Sequence, residues 1–311
     1  MAKILITESV HPIGPELLTA AGHTVVYADR DMDVIRREIV DADAVLVRII
    51  ELPGSLLATA KNLKIVSKHG VGYDNIDLDY CKSHGVAVTI TPNANSLSVA
   101  EHAFTLMLTL AKNIIPVSNE YRTVGFAAKN HAPGIEMTGK TLGLIGMGRI
   151  GKHVLHMCRD GLDMHVIVYD PYISEVPEGV ERVDDISELL RRADVVTLHC
   201  LLTDETRKLI DRERLALMKP TALLINCARG PIVDEAALIE ALENGRLAGA
   251  GLDVTDPEPV APDSPLFKLP NVIVTPHYAP TTVESATRVS KIAAENINAV
   301  LAGQEPVGRI V

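Results

Sequence analysis

Three residues of this chain have the types and placement to act on a carbonyl compound: Arg229, Glu258 and His277. An arginine presents a planar fork of N–H donors that fits a carboxylate and polarises a carbonyl oxygen. A histidine can protonate that oxygen as hydride arrives at carbon, and a nearby glutamate would raise its pKa and hold the imidazolium in place. Each residue alone is weak evidence. Arg229 precedes Gly230, an ordinary surface or capping position; Glu258 lies in the loop Asp256-Pro257-Glu258-Pro259; His277 in Thr275-Pro276-His277-Tyr278 has the surroundings of a packed histidine. Their weight comes from joint placement just after apolar, strand-like runs.

A source of hydride is written into the middle of the chain. The apolar run Thr141 to Ile145 breaks into Gly146-Met147-Gly148-Arg149-Ile150-Gly151, a helix-like segment follows to about Arg159, and a second apolar run, Met164 to Tyr169, ends on Asp170, nineteen residues after Gly151. This is the dinucleotide-binding spacing. Gly146 permits the tight turn, Gly148 lets a pyrophosphate approach the backbone, and Gly151 lets helix and strand pack closely. The helix N-terminus offers free N–H groups and a positive dipole end. Asp170 suits the ribose hydroxyls and repels a 2′-phosphate, and Asp170-Pro171-Tyr172 brings no cation, so NAD is favoured over NADP. A glycine-rich turn in an ordinary α/β domain is the plainer alternative, and the flanking strands with the acid in register argue against it.

These residues need a scaffold, and the pattern supplies one. Short apolar runs at Lys3 to Ile6, Thr24 to Tyr27, Ala44 to Val47, Lys64 to Ser67 and Val86 to Thr89 alternate with helix-sized segments, which predicts a parallel sheet covered on both faces. Its first turn lacks a glycine fingerprint, so this domain is the candidate for binding substrate. Ser96 to Ile115 reads as one long helix closed by Pro116 and connecting two domains. A second parallel sheet continues from Thr141 through Asp194 to His199, Ala222 to Asn226, Gly249 to Val254 and Asn271 to Thr275. Thr281-Thr282-Val283-Glu284 reads as a capping box opening a final helix to about Ala302. The expected fold is α/β with two doubly wound parallel-sheet domains, flavodoxin-like and Rossmann, and a cleft between them. Residues 1–96 with 290–311 would bind substrate and 97–289 would bind NAD. In such sheets ligands sit beyond the carboxyl ends of the strands. The second sheet's strands end at Gly146, Asp170, Cys200, Cys227-Ala228-Arg229, Asp253 and His277.

Composition narrows the partners. A net charge of −10 with no basic block argues against nucleic acid and against an anionic membrane surface. No apolar run reaches membrane-span length and the N-terminus reads as a strand and not a signal peptide, so a cytoplasmic protein acting on a small molecule is expected. Cys81, Cys158, Cys200 and Cys227 are scattered, which predicts neither a disulfide framework nor a metal site.

The chain resembles the D-isomer-specific 2-hydroxyacid dehydrogenases, in particular the phosphoglycerate dehydrogenase and hydroxypyruvate reductase branch, over nearly its whole length. The resemblance is carried by Gly70-Val71-Gly72-Tyr73-Asp74-Asn75-Ile76-Asp77, by Asn95 to His102, by Gly139-Lys140-Thr141 through Gly151, by Asn226 to Gly230, by Gly251 through Pro259, and by Pro276-His277. It implies an NAD-dependent interconversion of a small 2-oxo acid and its D-2-hydroxy acid, with Arg229, Glu258 and His277 as the catalytic set. It further implies substrate binding by Arg229, His277 and the backbone around Val71 and Gly72, and cofactor contacts from Arg149, Ile150, Asp170, Cys227, Asp253 and His277. Cys200, Ala228, Arg229 and Val99 are expected to join the cofactor set beside Gly146, Gly148 and Gly151. A homodimer is implied, and the chain's end soon after its last helix gives no expectation of the regulatory domain carried by some phosphoglycerate dehydrogenases. Two positions depart from the pattern: Leu201 stands where proline is usual, and Ile49-Ile50 follow Arg48 where small hydroxyl residues are common. Arg48, Lys68 and His69 could supply positive charge, although each reads more readily as structural or exposed, and His102 and His199 are assigned mainly to packing. An NAD-sensing, corepressor-like protein and a formate dehydrogenase are the alternatives on this fold; the second needs no acid for an alcohol oxygen and leaves Glu258 little to do.

Reduction should slow as pH rises and His277 loses its proton, and oxidation should show the reverse. Glu258→Gln should move the controlling step of the reductive pH–rate profile to lower pH; a profile that stays in place would show that the pairing is wrongly assigned.

Overall fold

A computed structural model describes residues 1–311, which form two compact units: Met1–Asn95 with Pro280–Val311, and Ser96–Ala279.

The first unit is built on strands β1 (Lys3–Ile6), β2 (Thr24–Tyr27), β3 (Ala44–Val47), β4 (Ile65–Lys68) and β5 (Ala87–Thr89). They are parallel in the order β2-β1-β3-β4-β5. All residues of β3 and β4 are buried, as expected of strands covered on both faces. The two-residue period divides them: Ile4 and Ile6 pack with Leu18, Ala293 and Ile297, while Leu5 packs with Ile35, Val45 and Val66 on the opposite face. The free edge of β5 is covered by the chain's last residues, with Ile90 N–H donating to the Gly308 carbonyl at 2.9 Å and Ile310 N–H to that of Val88 at 2.8 Å. An unpaired strand edge is thereby removed.

The final helix, Val283–Leu301, belongs to this unit along its whole length. The second crossing between units therefore falls at Ala279–Pro280 and not at 289–290. The physical reason is close helix packing: a Cβ on Gly14, in helix Ile13–Ala20, would stand 2.4 Å from Ser290 Oγ and 2.7 Å from its carbonyl oxygen. A straight helix cannot be divided at that point, and Arg288 Nε donates to the Ala94 carbonyl at 2.9 Å near its start. Thr282 is the cap, its Oγ1 accepting from Ser285 N–H at 3.1 Å, so the expected box of Thr281 with Glu284 does not form and a single cap one residue on takes its place.

The second unit holds β6 (Thr141–Ile145), β7 (His165–Tyr169), β8 (Val180–Arg182), β9 (Val195–Leu198), β10 (Leu223–Asn226), β11 (Gly249–Leu252) and β12 (Val272–Val274). Their order is β12-β11-β10-β9-β6-β7-β8, parallel throughout. Strand β8, Val-Glu-Arg at a polar edge, has no apolar signature in the sequence and is an addition to the expected set. The order reverses between β6 and β9, the switch point at which ligands collect in such folds.

The single helix expected over Ser96 to Ile115 is two: Ser96–Ala111 and Ile114–Val124. Asn113 adopts the left-handed conformation, φ 50°, which ends the first helix. Pro116 lies inside the first turn of the second, where its missing N–H costs no intrahelical bond. It tolerates the helix start and does not terminate the preceding helix. No helix is long and apolar enough to cross a membrane.

Candidate active site

Because the strands of the second sheet are parallel, the six expected strand ends lie along one edge. At the switch point, Gly146 has φ +90°, and a Cβ there would stand 2.7 Å from Cys200 N and 2.9 Å from the His199 carbonyl oxygen. The turn after β6 thus abuts the end of β9, which only glycine allows. Gly151 opposes it: a Cβ on that residue would be 2.3 Å from the Gly146 carbonyl oxygen. A Cβ on Gly148 would meet nothing within 4 Å. Helix Arg149–Leu162 starts there with no side-chain cap. Open space before uncapped amides fits a pyrophosphate.

Asp170 is tied to this turn. Its Oδ2 accepts from Met147 N–H at 2.9 Å and its Oδ1 from Tyr172 N–H at 2.9 Å. The carboxylate stays half-exposed, so it has capacity for ribose hydroxyls while already bracing the glycine turn. Cys200 is half-buried and Cys227 buried; burial pushes the Cys200 thiol up to about 11 and raises that of Cys227 as well, leaving two neutral, apolar surfaces. Val99 is only 5% exposed, inside the apolar cluster that holds Leu144 and Met147. His199 is packed as expected, with Nε2 2.8 Å from Thr197 Oγ1 and burial driving its pKa down to about 3.

The candidate catalytic residues sit on three neighbouring strand ends. Arg229 follows β10 in a loop held by Asn226, whose Nδ2 donates to the Arg229 carbonyl at 2.9 Å while its Oδ1 accepts from Ala228 N–H at 3.0 Å. Arg229 Nη1 donates to the Ala228 carbonyl at 2.8 Å. Gly230 presses this loop onto the segment after β11, since a Cβ there would lie 1.9 Å from the Thr255 carbonyl oxygen. That segment carries Glu258, whose Oε1 is 2.7 Å from His277 Nδ1. Nδ1 is thereby committed to a carboxylate, which leaves Nε2 as the other ring nitrogen.

His277 itself has φ 52°. Its N–H donates to the Asp253 carbonyl at 2.8 Å, and the buried Asp253 carboxylate accepts from Tyr278 N–H at 2.7 Å, Ala279 N–H at 2.9 Å and Thr275 Oγ1 at 2.5 Å. Asp253 thus organises the turn that bears His277. Sequence reading missed Thr275 in this role and treated His102 as packing, although His102 Nε2 is 3.0 Å from Thr275 Oγ1. A histidine one turn from Leu106, on a helix face that also buries Ser98, was the available signal.

On the first unit, Lys68 and His69 take the structural role that the sequence favoured for them, and Arg48 stays half-exposed. The buried Lys68 ammonium donates to the Arg48 carbonyl and to Asn75 Oδ1, the latter at 2.6 Å. His69 is neutral: burial first, then Arg48 and Lys68, depress its pKa to about 3. Val71 and Gly72 are half-buried in the loop after β4, where the preceding Gly70 has φ +142° and its carbonyl accepts from Thr91 N–H at 2.9 Å. Glu8, unforeseen in the sequence, is buried after β1 and accepts from Arg48 N–H at 2.7 Å and Ile49 N–H at 3.0 Å. No group of three His, Cys, Asp or Glu side chains is placed to hold a metal.

A doubly wound domain with an open glycine cradle, an acid behind it and a His–Glu pair on the same sheet edge defines a dinucleotide-binding α/β protein. Residues 104–279 match the family model of the D-isomer specific 2-hydroxyacid dehydrogenase NAD binding domain, and the chain belongs to that family. It is 43% identical over 308 residues to D-3-phosphoglycerate dehydrogenase of Methanocaldococcus jannaschii, a match covering 98% of this chain and 58% of that protein. It is 37% identical over 319 residues to glyoxylate reductase of Thermofilum pendens, covering 98% and 93% respectively. The chain spans about half the length of the curated phosphoglycerate dehydrogenases it matches. Its fold superposes on D-lactate dehydrogenase from Aquifex aeolicus, solved with NAD and lactic acid, with TM-score 0.88, 32% identity and 96% of each chain covered.

Asp170→Asn keeps hydrogen-bond acceptors but removes the charge. Fluorescence titration should show NADH binding weakened about tenfold, as loss of a charge-assisted bond implies, and the gap to NADPH narrowed. An unchanged preference would remove Asp170 as the selecting residue.

Proposed function

We propose that the protein is an NAD-dependent oxidoreductase that interconverts a small 2-oxo acid and its D-2-hydroxy acid, with His277 as acid/base. The observation that carries this reading is the 2.7 Å His277–Glu258 pair on the same sheet edge as the glycine cradle. When bound, NAD(H) supplies or accepts the hydride. Arg229 offers its guanidinium to the substrate carboxylate and carbonyl oxygen, Glu258 holds the imidazole through Nδ1, and Nε2 delivers the proton in reduction and takes it in oxidation. By the family resemblance, backbone N–H groups around Val71 and Gly72 on the first unit also offer donors to a carboxylate.

An unphosphorylated substrate is favoured. Of Arg48, Lys68 and His69, near the loop after β4, Lys68 is committed to internal acceptors and His69 is neutral. Only Arg48, half-exposed with Nη1 donating to the Ser9 carbonyl at 3.3 Å, stays open to a ligand, while Ile49 presents an apolar surface, 49% exposed. The names of relatives span phosphorylated and unphosphorylated substrates, among them D-3-phosphoglycerate, glyoxylate and lactate.

A homodimer through the second unit is part of the same reading. Helix Ile114–Val124 has no buried residue, yet it and the following segment expose Ile114, Tyr121, Val124 and Phe126, the last 73% exposed. Exposed apolar side chains of this kind call for a protein partner, and a second copy with two-fold symmetry is the simplest one. Sedimentation equilibrium should give a dimer that Tyr121→Glu with Phe126→Glu dissociates; a monomeric parent protein would sink the assignment.

The deciding experiment follows NADH consumption across glyoxylate, hydroxypyruvate, phosphohydroxypyruvate, pyruvate, sulfopyruvate and a branched 2-oxo acid, with NADPH and His277→Ala as controls. One unphosphorylated acid should turn over rapidly, and His277→Ala should lower kcat by about 10²–10⁴. Binding of NADH without turnover of any compound would count against the enzyme and favour an NAD-sensing role.

A further inference from the structure

We infer that His102 is a positioning residue for the acid/base histidine: through Thr275 and Asp253 it fixes the turn on which His277 stands. The inference rests on the function proposed above for His277.

Its starting point is how helix Ser96–Ala111 lies on the sheet. Strand β11 carries glycines, and a Cβ on Gly251 would meet Leu106 Cβ at 3.0 Å, so the helix approaches β11 more closely than a larger residue would permit. One helical turn back from Leu106 is His102, and two strand residues on from Gly251 is Asp253. A turn of helix and two residues of strand each advance about 6 Å, so contact at 106/251 brings 102 over 253. Accordingly His102 Nε2 lies 3.5 Å from Asp253 Oδ1 and 3.0 Å from Thr275 Oγ1.

The direction of each bond in this group is determined by its chemistry. The Asp253 carboxylate only accepts, so the single Thr275 hydroxyl proton goes to Oδ1, 2.5 Å away. The Thr275 oxygen then presents a lone pair to His102, and Nε2 must carry the hydrogen. His102 is the donor that completes the network. Asp253 passes this order on to the main chain at His277, Tyr278 and Ala279, whose N–H groups it accepts through its carbonyl and carboxylate oxygens. His102 also meets the Tyr278 ring edge-on, centroids 6.2 Å apart, so it touches the chain on both sides of His277. A residue at φ 52° has few local reasons to stay there, and this frame supplies them.

A part-buried network with one member missing loses its definition, and displacement of a reacting group by about 1 Å costs roughly a hundredfold in rate. His102→Leu keeps bulk but removes the donor, whereas His102→Gln places an amide N–H close to where Nε2 was. In steady-state assays on the preferred 2-oxo acid, His102→Leu should lower kcat roughly tenfold to a hundredfold with KM for NADH nearly unchanged. His102→Gln should recover most of that loss. The low-field proton resonance of the His277–Glu258 hydrogen bond, assigned by its disappearance in Glu258→Gln, should move or broaden in His102→Leu and return in His102→Gln. If His102→Leu does not fold, His102→Asn, whose amide falls one carbon short, replaces it and should behave like the defective variant. Equal kcat and an unmoved resonance in all folded variants, even with lowered thermal stability, would overturn the inference and leave His102 a packing residue. An inactive parent protein would instead overturn the proposed function, and the resonance would still decide whether His102 positions the turn.

Discussion

A buried carboxylate must be satisfied where it stands, and Asp253 is 1% exposed just past the end of β11. Its acceptors are met by the hydroxyl of Thr275 and the N–H groups of Tyr278 and Ala279. That requirement bends the chain after β12 into the turn that holds His277 in the left-handed region with its imidazole against Glu258. The order of the site therefore comes from charge satisfaction inside the sheet edge, and the half-buried catalytic candidates inherit it.

A second constraint is backbone proximity. The turn after β6 lies against the end of β9, the helix after it lies against that turn, and the Arg229 loop lies against Thr255; at each contact a Cβ would stand less than 3 Å from a neighbouring backbone atom. Glycine at 146, 151 and 230 is a steric requirement of the arrangement, with Gly148 differing because the space above it is open. Three of these glycines bring structural elements together, and the fourth leaves room for a ligand.

Charge is handled differently in the first unit. Lys68 and Glu8 are both buried, and both spend their charge on main-chain or amide groups: the ammonium on the Arg48 carbonyl and Asn75, the carboxylate on the N–H groups of Arg48 and Ile49. The loops at this sheet edge are thus braced by ions whose partners are inside the protein. A linear reading leaves such residues open to either role, because a formal charge in a sequence carries no record of its burial.

The parallel α/β architecture, the glycine turn with its acid and the positions of Arg229, Glu258 and His277 were legible in the sequence, because hydrophobic period, turn chemistry and spacing are local properties. Strand β8, the break at Asn113 and the division at Ala279–Pro280 were not. The edge strand is polar and paired by its neighbour, Pro116 looks the same at either end of a helix, and the last helix is claimed by Gly14 through a contact nearly 280 residues away. Likewise the sequence offered His102 as one of several polar residues on a mostly apolar helix. Only the approach of that helix to glycine-bearing β11 joined it to Thr275 and Asp253, since hydrogen bonds between distant segments depend on packing distances that no spacing along the chain encodes.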